Sequence, residues 1–273
     1  MAIAVRTTLF VIVGAVILVT DSGGAQPVDY HTRITLATYR ISGPSETKPG
    51  LNAIGTAFLV AVPAQGNVNQ VWGVLVTAKH ILSEITGSVL RVDVRPQKDF
   101  TQQIQLPVNI RLADGSRNLY VEHPTEDVAA VLLPRPPDDA GLNVIPFSWL
   151  AEESALRAAQ LHPGDVVHIV GFPRGTSFFL TLPITRQGIV ASFPTPPVTT
   201  RLLISGNLQA GDNGAPVYVD AQSRTVNGTP NALQAVIGMY LGQYGNEAVQ
   251  VGNVAPANIV RDTIAKIEFP APK

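Results

Sequence analysis

The sequence contains no cysteine. This absence excludes disulfide bridges, a thiol nucleophile and any metal site that depends on thiolate ligands. A folded unit drawn from 273 residues is large enough to be stabilised by its hydrophobic core without such bridges. Secretion without cysteine is more typical of a bacterial envelope than of a eukaryotic secretory pathway.

Charged residues are also scarce, at 14% of the sequence, with a formal net charge of -1. Hydrophobic residues reach 45%, whereas a disordered chain has low hydrophobicity and high charge. Lysine and arginine form no dense cluster, so the electrostatic signature of a nucleic-acid-binding protein is missing. We therefore expect a folded protein without a nucleic-acid partner.

Only one long apolar run is present, from Leu9 to Val19. Arg6 precedes it, and the small residues Ser22–Ala25 follow, which is the order of a secretory signal peptide. The run is short of the roughly 20 residues that a spanning helix needs. We predict a signal peptide over residues 1–25, cleavage before Gln26, and a secreted or periplasmic product. Contact with a membrane is expected only if this segment stays uncleaved as an anchor.

Glycine and proline, 23 and 22 residues, separate many short β-branched runs. This spacing predicts an all-β sandwich or barrel. The candidate strands are Arg33–Ile41, Ala53–Val62, Val71–Thr77, Val89–Val94, Ile104–Leu112, Asp127–Leu133, Asp165–Gly171, Thr185–Ser192, Arg201–Ser205, Ala215–Val219 and Leu233–Leu241.

Helical patterns are confined to Ala151–Leu161 and to Ala257–Ile267, where apolar residues recur at helical spacing. The proline-rich, charged segment Leu133–Gly141 has the composition of a linker. These features predict a unit over residues 26–273 in two halves, about 28–133 and about 151–273, joined by a linker at about 134–150.

Three motifs carry the chemistry: Leu75-Val-Thr-Ala-Lys-His80, Glu126-Asp127-Val-Ala-Ala-Val-Leu-Leu133 and Gly211-Asp-Asn-Gly-Ala-Pro216. Each has a purely structural interpretation when it is taken alone. The histidine can be an ordinary residue after a strand, the aspartate a turn residue, and the glycine-rich stretch a hairpin turn. A carboxylate that opens an apolar strand nevertheless needs a partner, and a histidine would supply one.

Together, in this order, the three motifs resemble those of the trypsin-like (chymotrypsin-fold) serine proteases, which carry Thr-Ala-Ala-His, Asp-Ile-Ala-Leu and Gly-Asp-Ser-Gly-Gly-Pro. Four further stretches resemble the bacterial high-temperature-requirement branch: Gly171–Gly175, Arg186–Ser192, Val236–Met239 and Val254–Asn258. The resemblance implies an all-β fold of two six-stranded antiparallel β-barrels, the trypsin-like double barrel, with a C-terminal helix.

The resemblance also implies roles for individual residues. His80 matches the general base and Asp127 the acid that orients it. The backbone N–H groups of Gly211 and Asn213 match the oxyanion hole. Asn213 itself stands where the family has its nucleophilic serine, and Ala215 replaces the second glycine. A carboxamide is no nucleophile at neutral pH, and losing the serine costs about 10⁶ in kcat in a related triad.

Three hypotheses follow. In the first, the protein is a pseudoprotease that binds a peptide or a protein in the former active-site cleft. In the second, it is an active serine endopeptidase with another nucleophile, for which Ser205 and Ser223 are weak candidates. In the third, it is a structural envelope protein with no function in the cleft. The Asn213-Gly214 pair can also cyclise and deamidate, which would place a carboxylate near His80.

Substrate contacts are implied by the same resemblance. Asn207 takes the place at the base of the primary specificity pocket, and Tyr240, Leu241 and Gly242 lie on the strand that would pair with an extended peptide. Tyr240 has packing in the core as its alternative role. Asp212 lacks the terminal amine with which it pairs in many animal members. The other histidines show no metal-ligand spacing, so we expect neither a metal nor a cofactor.

Overall fold

The computed structural model describes residues 8–12, 15–19, 28–64, 67–95, 102–133, 140–158, 161–174, 182–192, 201–220, 225–226, 229–230, 233–244 and 251–270. Strands predominate, and the helices are short. Within these residues, no helix has the length and apolar character needed to span a membrane.

The strands, in chain order, are β1 (Thr8–Ile12), β2 (Ala15–Val19), β3 (Thr38–Pro44), β4 (Asn52–Ala64), β5 (Asn67–Ala78), β6 (Val89–Val94), β7 (Ile104–Asn109), β8 (Tyr120–Glu122), β9 (Val128–Leu132), β10 (Ile145–Pro146), β11 (Val166–Gly171), β12 (Ile184–Ser192), β13 (Leu202–Gly206), β14 (Pro216–Val219), β15 (Thr225–Val226), β16 (Thr229–Pro230), β17 (Ala235–Tyr244) and β18 (Val251–Pro256). The helices are α1 (Tyr30–Leu36), α2 (Lys79–Glu84), α3 (Glu153–Ala158) and α4 (Ala257–Ile264), with a 3-10 turn at Phe147–Trp149.

The second half of the chain forms a closed barrel in the order β11-β12-β13-β18-β17-β14. Its inward-facing side chains form one apolar cluster that includes Val167, Ile169, Val217 and Ile237. Alternate residues of a strand point to opposite faces, so closing the sheet buries one whole face. Six strands are what the sequence analysis predicts for this half.

The first half forms a curled sheet in which β3 lies between β4 and β6, β5 joins β4 to β9, and β7 joins β6. The strands β7 and β8 do not pair as a regular ladder. Two backbone hydrogen bonds span the gap between them: Leu119 N–H donates to Ile110 C=O, and Leu112 N–H donates to Arg117 C=O, each at 2.9 Å. The expectation of an all-β double barrel with a C-terminal helix, α4, is confirmed.

Strands β1 and β2 pair with each other. Strand β1 also pairs in parallel with β5, where Val11 lies opposite Gln70. These strands fall within the segment for which the sequence analysis predicts a signal peptide. Cleavage before Gln26 stays a prediction.

The expected strand Arg33–Ile41 is wrong in its first part, because Arg33 lies in helix α1 and the strand begins at Thr38. Asp29 caps this helix: its side chain accepts a hydrogen bond from Thr32 N–H at 3.0 Å. Tyr30 and Ile34 are both buried, one turn apart on the same face. The strand interpretation overlooked this cap.

The segment between the barrels packs against both of them. Ile145 and Pro146 pair with β4, and Leu150 forms a bridge with Val236 of the second barrel. Residues 134–139 of the predicted linker lie outside the described residues. Helix α4 buries Ile259 and Val260 in a core cluster that draws on both barrels. This shared core fixes the ends of β5 and β9 opposite the turn that leads into β14.

Candidate functional site

His80 lies where strand β5 turns directly into helix α2, two residues after the strand ends. Asp127 stands immediately before β9. The two strands pair antiparallel, and Ala78 lies opposite Val128. The register of this one strand pair therefore places the histidine and the aspartate side by side.

Asp127 holds His80 through both carboxylate oxygens. Its Oδ2 lies 2.5 Å from His80 Nδ1, and its Oδ1 accepts the backbone N–H of His80 at 2.8 Å. Before it, His123 Nδ1 accepts the N–H of Glu126 at 3.0 Å and so shapes the turn that leads to Asp127. The carboxylate thus fixes both the backbone and the ring of His80.

Asn213 reaches the other side of the same ring. Its Nδ2 donates a hydrogen bond to His80 Nε2 at 3.0 Å. An amide N–H can only donate, so Nε2 acts as an acceptor here and the ring proton is carried by Nδ1, facing Asp127. This is the tautomer that a general base requires, but the group it meets offers a carboxamide instead of a hydroxyl.

Strand β4 of the first barrel holds the turn that carries Asn213. Thr56 N–H donates to Asn213 C=O at 2.9 Å, and Gly214 N–H donates to Tyr240 C=O at 2.7 Å. Gly214 has φ of 92°, and a Cβ there would lie only 2.0 Å from Thr56 O. Only glycine fits this contact. Cyclisation of Asn213 would need the Gly214 nitrogen, which is held in this hydrogen bond.

Thr56 also fixes the start of the turn. Its Oγ1 donates to Gly211 C=O at 2.8 Å and accepts the N–H of Phe172 at 3.1 Å. The side chain is fully buried. Thr56 was not predicted as a site residue; its one sequence signal is a hydroxyl within the apolar strand that precedes the histidine motif.

Gly211 is buried and has φ of 100°, and a Cβ there would lie 2.4 Å from Phe172 O. Among the described residues, the backbone N–H groups of Gly211 and Asn213 have no acceptor. The intervening and following N–H groups are bonded, Asp212 to Gln209 C=O at 3.2 Å and Ala215 to Asp212 C=O at 2.8 Å.

Asp212 is completely buried and pairs with Arg186 of β12, whose Nη2 lies 2.5 Å from its Oδ1. Its Oδ2 accepts the N–H of Gln209 at 2.9 Å. Asp212, for which no terminal amine was expected, thus has Arg186 of strand β12 as its cationic partner. Ala215 is also fully buried, in the core of the second barrel, so its methyl group is accommodated.

A cavity of about 170 Å³ lies beside Asp127, lined by Thr125, Glu126, Asp127, Arg201, Leu241, Gly242, Gln243 and Asn253. Of the predicted peptide-contacting residues, Leu241 and Gly242 therefore reach the cleft. A Cβ placed on Gly242 would lie 3.7 Å from Asn213 Oδ1, so this strand runs close to the site.

Tyr240 contributes to this region through its backbone alone. Its side chain is 1% exposed and packs in the core of the second barrel. Burial, reinforced by the charge of Asp212, raises the pKa of its phenol far above the usual range. Asn207 is exposed, and its amide oxygen accepts a hydrogen bond from Gln209. Its place in a specificity pocket remains a prediction.

The remaining candidates lie elsewhere. Ser205 sits within the wall of the second barrel, where it pairs with Ile189 and Val251. Ser223 lies outside the described residues. No group of three potential metal ligands occurs in the described part of the chain.

A second histidine cluster lies apart from this site. His31 of α1 meets Asp220 through Nε2 at 2.9 Å and Tyr218 Oη through Nδ1 at 3.0 Å, and the His168 ring stacks on Tyr218. Tyr218 is fully buried, so this cluster tethers α1 to the second barrel and presents no accessible hydroxyl.

No protein-family model matches the sequence, and no curated protein matches it. Solved structures do. The HtrA-type protease AlgW with a tripeptide superposes with a TM-score of 0.54 at 12% identity, over 88% of this chain and 63% of the AlgW chain. The MamO protease domain from Magnetospirillum magneticum, in its apo form, superposes with a TM-score of 0.52 at 15% identity, over 85% of this chain and 97% of the MamO chain.

The active form of the Rv3671c protease from M. tuberculosis gives a TM-score of 0.53 at 17% identity, over 93% of this chain and 96% of that one. At these identities the likeness shows the fold: this chain has the trypsin-like double barrel of HtrA-type proteases. It spans less than two thirds of the AlgW chain.

Proposed function

We propose that this protein is a catalytically inactive, trypsin-fold protein that binds an extended peptide or protein segment in the cleft between its barrels. One observation carries the proposal: Asn213 Nδ2 lies 3.0 Å from His80 Nε2, where a serine hydroxyl would have to stand for catalysis. Asp127 fixes the opposite side of the ring at 2.5 Å. We infer that His80 and Asp127 keep the arrangement of a base and its orienting acid, whereas Asn213 supplies no nucleophile.

The inactivity follows from the chemistry of the carboxamide. Its nitrogen lone pair is delocalised, so His80 has no hydroxyl proton to remove and no covalent intermediate forms. Stabilisation of the oxyanion and binding alone leave about 10³-fold acceleration over water, which is too slow for turnover by a protease.

Peptide binding is supported by the form of the cleft. Leu241 and Gly242 line a cavity that reaches Asp127, and extended peptides bind such sites through strand addition. AlgW, which shares the fold, has been solved with a tripeptide and with a decapeptide. We extend this capacity to the present chain as part of the proposal.

A fluorophosphonate probe tests the catalytic part. The mature protein should remain unlabelled, whereas Asn213→Ser should gain labelling, because a hydroxyl then faces a histidine that is already oriented. The double variant Asn213→Ser/His80→Ala should lose it again. Labelling of the unmodified protein would instead establish the alternative hypothesis, an endopeptidase with a different nucleophile.

The peptide-binding part is tested by ¹H–¹⁵N NMR of the mature protein titrated with a mixture of random heptapeptide amides. Shifts should be concentrated at Leu241, Gly242 and Gln243. The exposed turn residues Asp114 and Gly115 are the internal control and should not move. If the control turn shifts as much as the cleft, or if nothing shifts, the cleft is not a peptide site.

Export belongs to the same proposal. We place the mature protein outside the cytoplasm, released by cleavage before Gln26. N-terminal sequencing of protein recovered from a bacterial periplasm or culture medium should begin at that residue, and an intact Met1 would contradict it.

A further inference from the structure

The turn around Asn213 uses its backbone donors unevenly. The N–H groups of Asp212, Gly214 and Ala215 all donate to carbonyl oxygens at 2.7–3.2 Å. Those of Gly211 and Asn213 have no acceptor within the described residues, although Gly211 is buried. More than nine-tenths of buried backbone donors in folded proteins are paired. The buried donor of Gly211 therefore calls for an acceptor that a ligand brings, and the half-buried N–H of Asn213 is available to the same ligand.

The side chain of Asn213 adds a third donor. One hydrogen of its Nδ2 points to His80 Nε2 at 3.0 Å, which leaves the second hydrogen for a ligand. Successive N–H groups in a turn of this kind form a concave site that favours anions. Of the nearby carboxylates, Asp127 has both oxygens turned to His80, and Asp212 of the same turn is paired with Arg186. Glu126 and Arg201, of opposite charge, both line the adjacent cavity.

Two kinds of peptide group can meet these donors. An internal peptide bond offers one neutral carbonyl oxygen. A free C-terminus offers two oxygens that share a negative charge, one for the backbone donors and one for Asn213 Nδ2. Hydrogen bonds to an ionised acceptor are roughly twice as strong as neutral ones. Asn213, at the position expected for the nucleophile, does not need a scissile bond beyond this point.

We propose that this site binds the free α-carboxylate of a peptide C-terminus, with the Gly211 and Asn213 N–H groups and Asn213 Nδ2 as donors. The peptide upstream of the carboxylate lies along Leu241 and Gly242. This inference rests on the proposed function, since it names the class of peptide that the cleft takes. The replacement of serine by asparagine becomes functional, because the carboxamide contributes a donor that a carboxylate can use.

The test compares two random heptapeptide mixtures with a fluorescent N-terminal label, one ending in the free acid and one in the carboxamide. Fluorescence anisotropy with the mature protein should show about tenfold tighter binding of the acid mixture, the size of one charge-assisted hydrogen-bond difference.

Asn213→Asp supplies the decisive variant, because it keeps the size of the side chain and the backbone donors but adds a negative charge. It should abolish the preference for the acid. Asn118→Asp makes the same charge change at an exposed residue of the first barrel and should leave the preference intact. An acid preference that survives in Asn213→Asp places the carboxylate elsewhere and overturns the inference.

The two levels of the proposal fail differently. Equal binding of acid and amide mixtures, with NMR shifts at Gly242 in both cases, overturns the preference for C-termini and leaves peptide binding in place. Absence of binding by every mixture overturns the inference and the proposed function together.

Discussion

Two carboxylates serve the same cleft, and their surroundings differ. Asp127 lies in the open, with 31% of its side chain exposed and a 40% exposed histidine as its partner. Asp212 is completely buried, against an arginine side chain that is 12% exposed. Asp127 orients the His80 ring, and Asp212 fixes the turn that carries Asn213.

The difference in burial between the two pairs predicts that one acts mainly on stability and the other mainly on reactivity. A buried charge that loses its partner is costly, whereas an exposed one is hydrated by water. We therefore expect changes at the Asp212 pair to act on folding, and changes at the Asp127 pair to act on reactivity. The first and third of the next four predictions test this division, and the four run from the largest expected effect on stability to the smallest.

Arg186→Met should lower the free energy of unfolding by about 3–5 kcal/mol, because it leaves Asp212 buried without its cation. Urea denaturation followed by circular dichroism measures it. Arg157→Met is the matched control: this arginine pairs with Glu153 on the surface, where an ion pair contributes about 1 kcal/mol or less. An equal loss of unfolding free energy in the two variants would mean that the Asp212 carboxylate is accessible to water.

Gly214→Ala should cost about 4 kcal/mol, because the new methyl group would meet Thr56 O at 2.0 Å in a backbone of positive φ. Gly50→Ala separates the two causes: Gly50 also has positive φ, but no atom lies within 4 Å of its Cβ position. That variant should cost about 1 kcal/mol. A similar loss in both would exclude the clash as the cause.

Asp127→Asn should change the free energy of unfolding by about 1 kcal/mol or less, because the site is open to water. In the Asn213→Ser background it should slow fluorophosphonate labelling by about 10⁴-fold, since the ring would no longer be held in the useful tautomer. Asp114→Asn, the same change at an exposed turn, should leave labelling unchanged. If Asp127→Asn greatly lowered the free energy of unfolding but left labelling normal, Asp127 would be a residue for stability instead of reactivity.

A pH series should show the smallest effect. Burial, together with the charge of His31, lowers the pKa of His168 below its usual 6.5, against the opposing charge of Asp220. The unfolded chain then binds a proton first as the pH falls. Stability should therefore decline below pH 6.5 and level off once the folded protein titrates too. In His168→Gln, the total loss of unfolding free energy on acidification should be smaller than in the unmodified protein, by less than about 1 kcal/mol, because solvent screens a half-exposed ring. An unchanged slope would assign the acid sensitivity to another group.

The sequence predicted the strands near the site well, because β-branched runs between glycine and proline are local signals. It predicted a helix over Ala257–Ile267 from the apolar spacing, of which Ala257–Ile264 is helical in the structure, and it missed α1. The pairing of His80 with Asp127 was expected from two motifs, but their contact depends on strand register. Arg186 and Thr56 were not identified as partners of the turn, because nothing near them in the chain indicates which loop they will meet.

What the sequence determined by itself was the class of fold, the three motifs and the presence of asparagine at position 213, since composition and local pattern are properties of the chain alone. The tertiary structure decided which groups meet, namely the cation with Asp212 and the carbonyl oxygen that excludes a side chain at Gly214. It also decided which two backbone donors of the turn find no acceptor within the described part of the chain. These contacts join residues distant in the chain. Closure of the second barrel brings Arg186 to Asp212, and the packing of one barrel against the other brings Thr56 O to Gly214.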